Sequence, residues 1–331
     1  MTTPGSARVW QPGSEGDSTY RGCVASPRAP RTPLALAALA CAAVKGLEPV
    51  SVRAHSQHDP DVDAAFVEDT LGREWVVRAP RTAAAGARMD AEERLVEGLY
   101  GWVSFAVPRV TGHSALPEGG RALVHRAVPG SALDPARMSA SPALLASTGR
   151  ALATVHDLPT RLVADAGLPV YEADEYRQRR LAEVDRAAAT GHVPSALLSR
   201  WERALEEAGA WRFVPSVVHG ELDGDSVRTS STEVTGMVEW AQARVADPAD
   251  DFAWLANVTE PAAFDAVMAT YTLRRRTMPD AALVRRARLA GELSLVRWLL
   301  HGTSTDDAGV VDDAVAMLTT LEESLAGSTT W

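Results

Sequence analysis

The chain has 331 residues, of which 46% are hydrophobic and 23% charged, a globular composition that excludes a disordered or fibrous protein. Its length suits two domains or two lobes, with enough buried surface to need no disulfide or metal staple. The net charge of −10, from 33 Lys and Arg against 43 Asp and Glu, excludes nucleic acid as the main partner, because phosphate binding needs a basic face, and leaves a cationic or neutral small molecule open.

Residues 1–30 are rich in Gly, Pro, Ser, Thr and Arg without periodicity and are expected to be a disordered tail. The apolar run Leu34 to Val44 is too short to span a bilayer, for which about 18 residues are needed. It fits either the core of a signal peptide or a short buried helix. Thr32 as N-cap, Pro33 at the first helical position and Lys45-Gly46 at the far end favour the helix. Short alternating runs at Pro49 to Ala54, Ala64 to Asp69 and Glu74 to Ala79 read as strands. Met89, Leu95, Val96 and Leu99 recur at helical spacing within Arg88 to Tyr100. Val107 to Val110 and Arg121 to Val128 read as strands, and Pro129-Gly130 closes the region.

Beyond Gly130 the pattern is mainly helical: Leu144 to Val155, Asp174 to Ala189 and Pro194 to Gly209, then three long segments at about 261–276, 280–302 and 306–326. A β interlude, 216–240, interrupts them. The whole predicts an α+β, bilobal fold: an N-lobe over 31–126 with a nucleotide-binding sheet and a helix, and a larger helical C-lobe over 127–327. Lys45 is the sole lysine. Cys23 and Cys41 form no CxxC pair and fit small apolar residues in a reducing, cytoplasmic setting, with no membrane partner.

The segment Val217 to Leu255 carries the chemistry. Ser226 to Thr229 and Val234 to Val238 predict a hairpin, and antiparallel pairing brings Ser226 beside Glu239. With Glu221 at a strand end after the His219-Gly220 turn, an oxygen cluster suited to Mg²⁺ rather than zinc is expected on one edge.

His219-Gly220-Glu221-Leu222, Glu239-Trp240 and Asp247-Pro248-Ala249-Asp250-Asp251 together resemble the phosphotransfer core of the aminoglycoside and macrolide phosphotransferases, a branch of the protein-kinase-like fold. The family's wording is close to H-G-D-L-x-x-x-N, then D-W, then D-P-A-x-D. The likeness extends to Trp75 to Arg81, to Leu123 to Gly130, to Gly149 to Pro159 and to Thr190 to Phe213, covering about residues 31–327. It implies transfer of a γ-phosphate from ATP or GTP, with Mg²⁺, to a hydroxyl of a small molecule, an aminoglycoside or a macrolide.

Carried over residue by residue, the resemblance makes Glu221 the catalytic base and Ser226 and Glu239 the metal ligands. Arg78, paired with Glu92, is the cation on the nucleotide, and Val124 and Arg126 belong to its binding hinge. His219 braces the catalytic turn through Asp247. Three positions depart from the family: Glu221 and Glu239 stand for Asp, and Ser226 for Asn. No glycine-rich loop occupies His55 to Asp61. Such a centre is degenerate, weak or inactive, and the alternative is a non-catalytic kinase-fold protein that binds a nucleotide, small molecule or protein partner. Paired carboxylates at Glu221 and Glu239 would also suit a glycosidase, but the helical half does not fit one. His125 and His156 read as hinge and helix residues, and Arg274-Arg275-Arg276 as a solvated helix end. Trp298 and His301, near Asp306, Asp307, Asp312 and Asp313, read as a solvated acidic helix start or as a pocket for a cationic sugar.

Overall fold

The computed structural model describes residues 29–55 and 59–326, so the tail expected over 1–30 falls almost wholly outside the described residues. Helix α1 (Pro33–Ala43) begins as its sequence predicts, with Thr32 Oγ1 accepting from the Ala35 amide at 3.3 Å. Its end differs: Val44, extended, is the C-cap, and Gly46 takes its positive φ two residues later.

Strands β1 (Pro49–His55), β2 (Val62–Asp69), β3 (Glu74–Pro80), β4 (Val110–Ala115) and β5 (Arg121–Arg126) form an antiparallel sheet in the order β1-β2-β3-β5-β4. Its period-2 alternation separates two faces. Trp75, Val77, Ala79, Ala122 and Val124 pack under Leu36, Ala37 and Ala40 of α1. Leu123 instead packs with Ala85 and Met89 of α2 (Ala83–Leu99). A helix thus covers each face of the sheet. The strand expected at 107–110 lies instead at Val110–Ala115, where polar residues hide the period. Gly112 is needed there, because a Cβ would stand 2.2 Å from the Ala43 carbonyl oxygen at the end of α1.

The rest is helical: α3 (Pro135–Ser139), α4 (Pro142–His156), α5 (Arg161–Asp165), α6 (Ala173–Ala189), α7 (Ser195–Glu206), α8 (Ala253–Val258), α9 (Pro261–Arg274), α10 (Leu283–Thr305) and α11 (Ala308–Ala326). Two small sheets interrupt it. β6 (Ser131–Ala132), β8 (Val227–Thr229) and β9 (Val234–Met237) make one, and β7 (Ser216–Val218) pairs with β10 (Arg244–Ala246) in the other. Leu95, Val96 and Leu99, from the second half of α2, join the large core of this helical lobe, so α2 belongs to both lobes. None of the described helices is long and apolar enough to cross a membrane.

Arg275 is not solvated as its sequence suggests. Its side chain is buried, pairing with Asp157 and donating to Ser216 Oγ at 3.2 Å.

Candidate functional site

Two cavities flank the turn that begins at His219. The first lies between the sheet and the helical lobe, encloses about 130 Å³, and is lined by Val76, Arg78, His125, Val128, Val238 and Glu239 among others. The second encloses about 500 Å³ on the other side of the turn and is lined by Gly220, Glu221, Gln242 and Arg244, with residues of α2, α6 and α10.

Arg78 reaches the first cavity because β3 directs Val76 and Arg78 away from α1. Its Nη1 donates to Glu92 Oε2 at 2.7 Å, and the pair is buried. Glu92 Oε1 accepts from the Trp240 amide at 2.9 Å. Nε of Arg78 is buried with no hydrogen-bond partner among the described residues, an N–H donor left for something else. The expected Arg78–Glu92 pair is therefore present, with an added link to the backbone after Glu239.

The hinge expectation needs correction. Alternation along β5 turns Val124 into the core under α1, where it is fully buried. Arg126 is exposed, its guanidinium 5.0 Å from the centre of the Trp75 ring. His125, between them, faces the cavity with Ala127 and Val128. Burial pulls the His125 imidazole down to about 4, and its Nδ1–H donates to the Arg126 carbonyl at 2.8 Å.

Glu221, Ser226 and Glu239 do not share one cavity. Glu221 is exposed and lines the second. Glu239 lines the first, at a left-handed φ of 66°, a conformation that costs a residue with a side chain about 1–3 kcal/mol and clusters at functional sites. Burial holds the neighbouring His55 below its ordinary pKa against the opposing pull of the Glu239 carboxylate. Ser226 is wholly buried: Oγ accepts from the Asp223 amide at 2.8 Å and donates to the Asp223 carbonyl at 3.1 Å. Its hydroxyl closes a loop and does not fit a metal ligand. No group of three or more His, Cys, Asp or Glu able to hold a metal occurs among the described residues. Of the three residues expected to meet, Glu239 lines the first cavity, Glu221 the second, and Ser226 neither.

The turn itself is braced as expected, but by another residue. The His219 and Gly220 amides donate to Asp251 Oδ2 and Oδ1, both at 2.8 Å, and His219 Nε2–H donates to the Val238 carbonyl at 2.8 Å. Asp247 instead takes both arms of Arg286, at 2.6 and 3.1 Å, from α10. Gly220 has a φ of +88°, and a Cβ there would lie 2.4 Å from the Gln242 carbonyl oxygen, so the turn requires glycine.

His156, read as an ordinary helix residue, completes the brace. Its Nε2–H donates to Asp251 Oδ2 at 3.1 Å, and Nδ1 accepts from the Tyr271 hydroxyl at 2.8 Å. Burial alone would raise the Asp251 pKa, but His156 and the amides hold it below the carboxylate range. Asp250 accepts from Tyr176, Arg180 and Arg244. Against its burial the two guanidiniums pull it down to about 2. Neither role was legible, because the partners lie far away in sequence.

Two carboxylates of the acidic cluster near Trp298 are engaged within it. Asp313 accepts from Trp298 Nε1 at 2.8 Å, and Asp307 caps α11 through the Gly309 and Val310 amides.

Residues 51–288 match the family described as the phosphotransferase enzyme family. An uncharacterised protein of Bacillus subtilis (strain 168), YcbJ, is 24% identical over 202 residues, which is 58% of this chain and 65% of that protein, just under two thirds of its length. Among solved structures, macrolide 2'-phosphotransferase MphH from Brachybacterium faecium superposes with a TM-score of 0.70 at 24% identity, over 82% of this chain and 93% of that one. Macrolide 2'-phosphotransferase type I gives 0.73 at 25%, over 88% and 99%. The GDP and kanamycin complex of APH(2")-IIia gives 0.75 at 20%, over 89% and 99%.

Proposed function

The chain belongs to the phosphotransferase enzyme family, and we propose that it moves the γ-phosphate of ATP or GTP onto a hydroxyl of a small molecule. The observation that carries this reading is the Arg78–Glu92–Trp240 link, which fixes a cation at a cleft between sheet and helical lobe while Glu221 stands across the turn in a second cavity.

In this reading the nucleotide base lies against Val76, His125 and Val128, and Arg78 steadies its phosphates. Glu221 holds the acceptor hydroxyl and takes its proton as the oxygen attacks the γ-phosphorus, while the bond to the β-phosphate oxygen breaks. Phosphoryl transfer depends mainly on positioning and charge stabilisation. Gly220 and the Asp251 brace supply the positioning by fixing the backbone that carries Glu221. A magnesium ion arriving with the nucleotide would meet Glu239, where it would neutralise phosphate charge; Ser226 would not take part.

The test is calorimetry with GTP and ATP beside a transfer assay. Arg78→Ala is expected to weaken nucleotide binding by about tenfold or more. Glu221→Gln should keep binding and lose transfer by roughly 10²-fold or more. No binding of either nucleotide refutes the proposal. The closed Ser226 loop favours one other reading, a protein that binds nucleotide without transferring phosphate. That reading requires equal, negligible turnover in the unmodified protein and in Glu221→Gln.

A further inference from the structure

The cavity that holds Glu221 has a charge opposite to that of the whole protein. The chain carries a net −10, yet this cavity is lined by Arg88, Arg179, Arg180, Arg244 and Arg297 against the carboxylates of Glu183 and Glu221. A second cavity of about 540 Å³ continues from Glu183 and Arg297 and adds Arg186 and His301. We infer that the acceptor molecule is anionic and presents a carboxylate or phosphate to these arginines, in contrast to a polycationic aminoglycoside. This rests on the phosphotransfer reading, which makes the Glu221 side the acceptor side.

The arginines fall into two sets. Arg88, Arg180 and Arg244 are held. Arg88 pairs with Asp59 at 2.7 Å. Arg180 donates to Glu183 at 2.7 Å and to Tyr176 and Asp250, and Arg244 donates to Asp250 and to the Gly220 carbonyl. Asp250 is thus shared between two guanidiniums and fixes both, so their remaining N–H donors are pre-oriented before a ligand arrives.

Arg179 and Arg297 form the other set. Both are exposed, and neither meets a carboxylate within ion-pair distance among the described residues. Arg179 lies over the Tyr171 ring at 4.7 Å. A planar guanidinium with free donors matches a carboxylate or phosphate through two parallel hydrogen bonds. An ammonium-bearing sugar entering the same space would meet like charge and find Glu221 as its main exposed carboxylate.

The experiment is calorimetry on the full chain with three probes: inorganic phosphate, D-gluconate and kanamycin, each with and without saturating GDP. Phosphate or gluconate is expected to bind at millimolar concentration, with GDP bound or not, and kanamycin is not. Arg179→Ala with Arg297→Ala should weaken the anion by about tenfold or more, with GDP binding serving as the control for folding. Binding of phosphate alone identifies a phosphorylated acceptor, and gluconate alone a hydroxy acid. Four results overturn the inference: neither anion binds, anion binding ignores the double substitution, GDP displaces the anion, or kanamycin binds and the double variant binds it more tightly. Absence of GDP binding with anion binding intact refutes phosphotransfer but upholds the anion preference of the cavity.

Discussion

Asp247, Asp250 and Asp251 carry the same charge as Glu221 and Glu239 on neighbouring stretches of chain, yet the two groups do opposite work. The aspartates leave one short 3₁₀ turn, Pro248–Phe252 and its cap, in three directions. They hold α10 through Arg286, α6 and β10 through Arg180 and Arg244, and α4 and the catalytic-type turn through His156 and two amides. The glutamates face cavities instead. A carboxylate buried among its donors positions other groups, and one that lines a cavity can also meet a ligand.

The strongest way to break this contrast is Asp251→Ala. It strips the buried His219 amide, the half-buried Gly220 amide and His156 of their acceptor and is expected to cost about 3–5 kcal/mol, read as a lowered urea midpoint at unchanged slope. A loss below about 1 kcal/mol would show that Asp251 is not a structural hub.

His125 sharpens the contrast, since it faces a cavity and is nevertheless buried. Its pKa is about 4 in the fold against an ordinary 6.5. Between those values the unfolded chain takes up a proton that the folded one refuses. Stability is therefore intact above pH 6.5 and falls as the pH drops toward 4, by about 3 kcal/mol in all. Chemical denaturation across that range should show the slope, and His125→Gln should reduce it, leaving the share of His55, whose pKa burial also lowers. The Asp250 contribution, lost only as the pH falls below about 4 toward 2, lies outside this window.

The smallest effect is expected at Glu221. Glu221→Gln should change the melting stability by no more than about 0.5 kcal/mol, because an exposed side chain without a structural partner has little to lose. A large loss would place Glu221 with the aspartates.

The period of two exposed β3 and β5 in the sequence, and the caps of α1 were visible in Thr32 and Pro33. The bilobal architecture followed from the order of strands and helices, and its family from the quoted motifs. The Arg78–Glu92 pair could be anticipated only by resemblance. The same resemblance misplaced Val124 and Arg126, whose side chains the alternation of β5 already assigned to the far face. Glu221, Ser226 and Glu239 do not line one cavity for a local reason: a serine is short enough to fold back on Asp223, and Glu239 at the end of the hairpin is itself left-handed. The roles of His156, Asp250 and Asp251, like the arginine-lined cavity, depend on helices distant in sequence, and no periodicity reports them.

Glu92 divides its two oxygens between Arg78 on the sheet and the Trp240 amide on the loop below. Tilting the small lobe upward must therefore break one of the two: the Trp240 bond if α2 travels with the sheet, or the Arg78 bond if α2 stays below. The carboxylate acts as a latch with two bolts, one set in each lobe, and the side on which it gives way decides which lobe α2 follows.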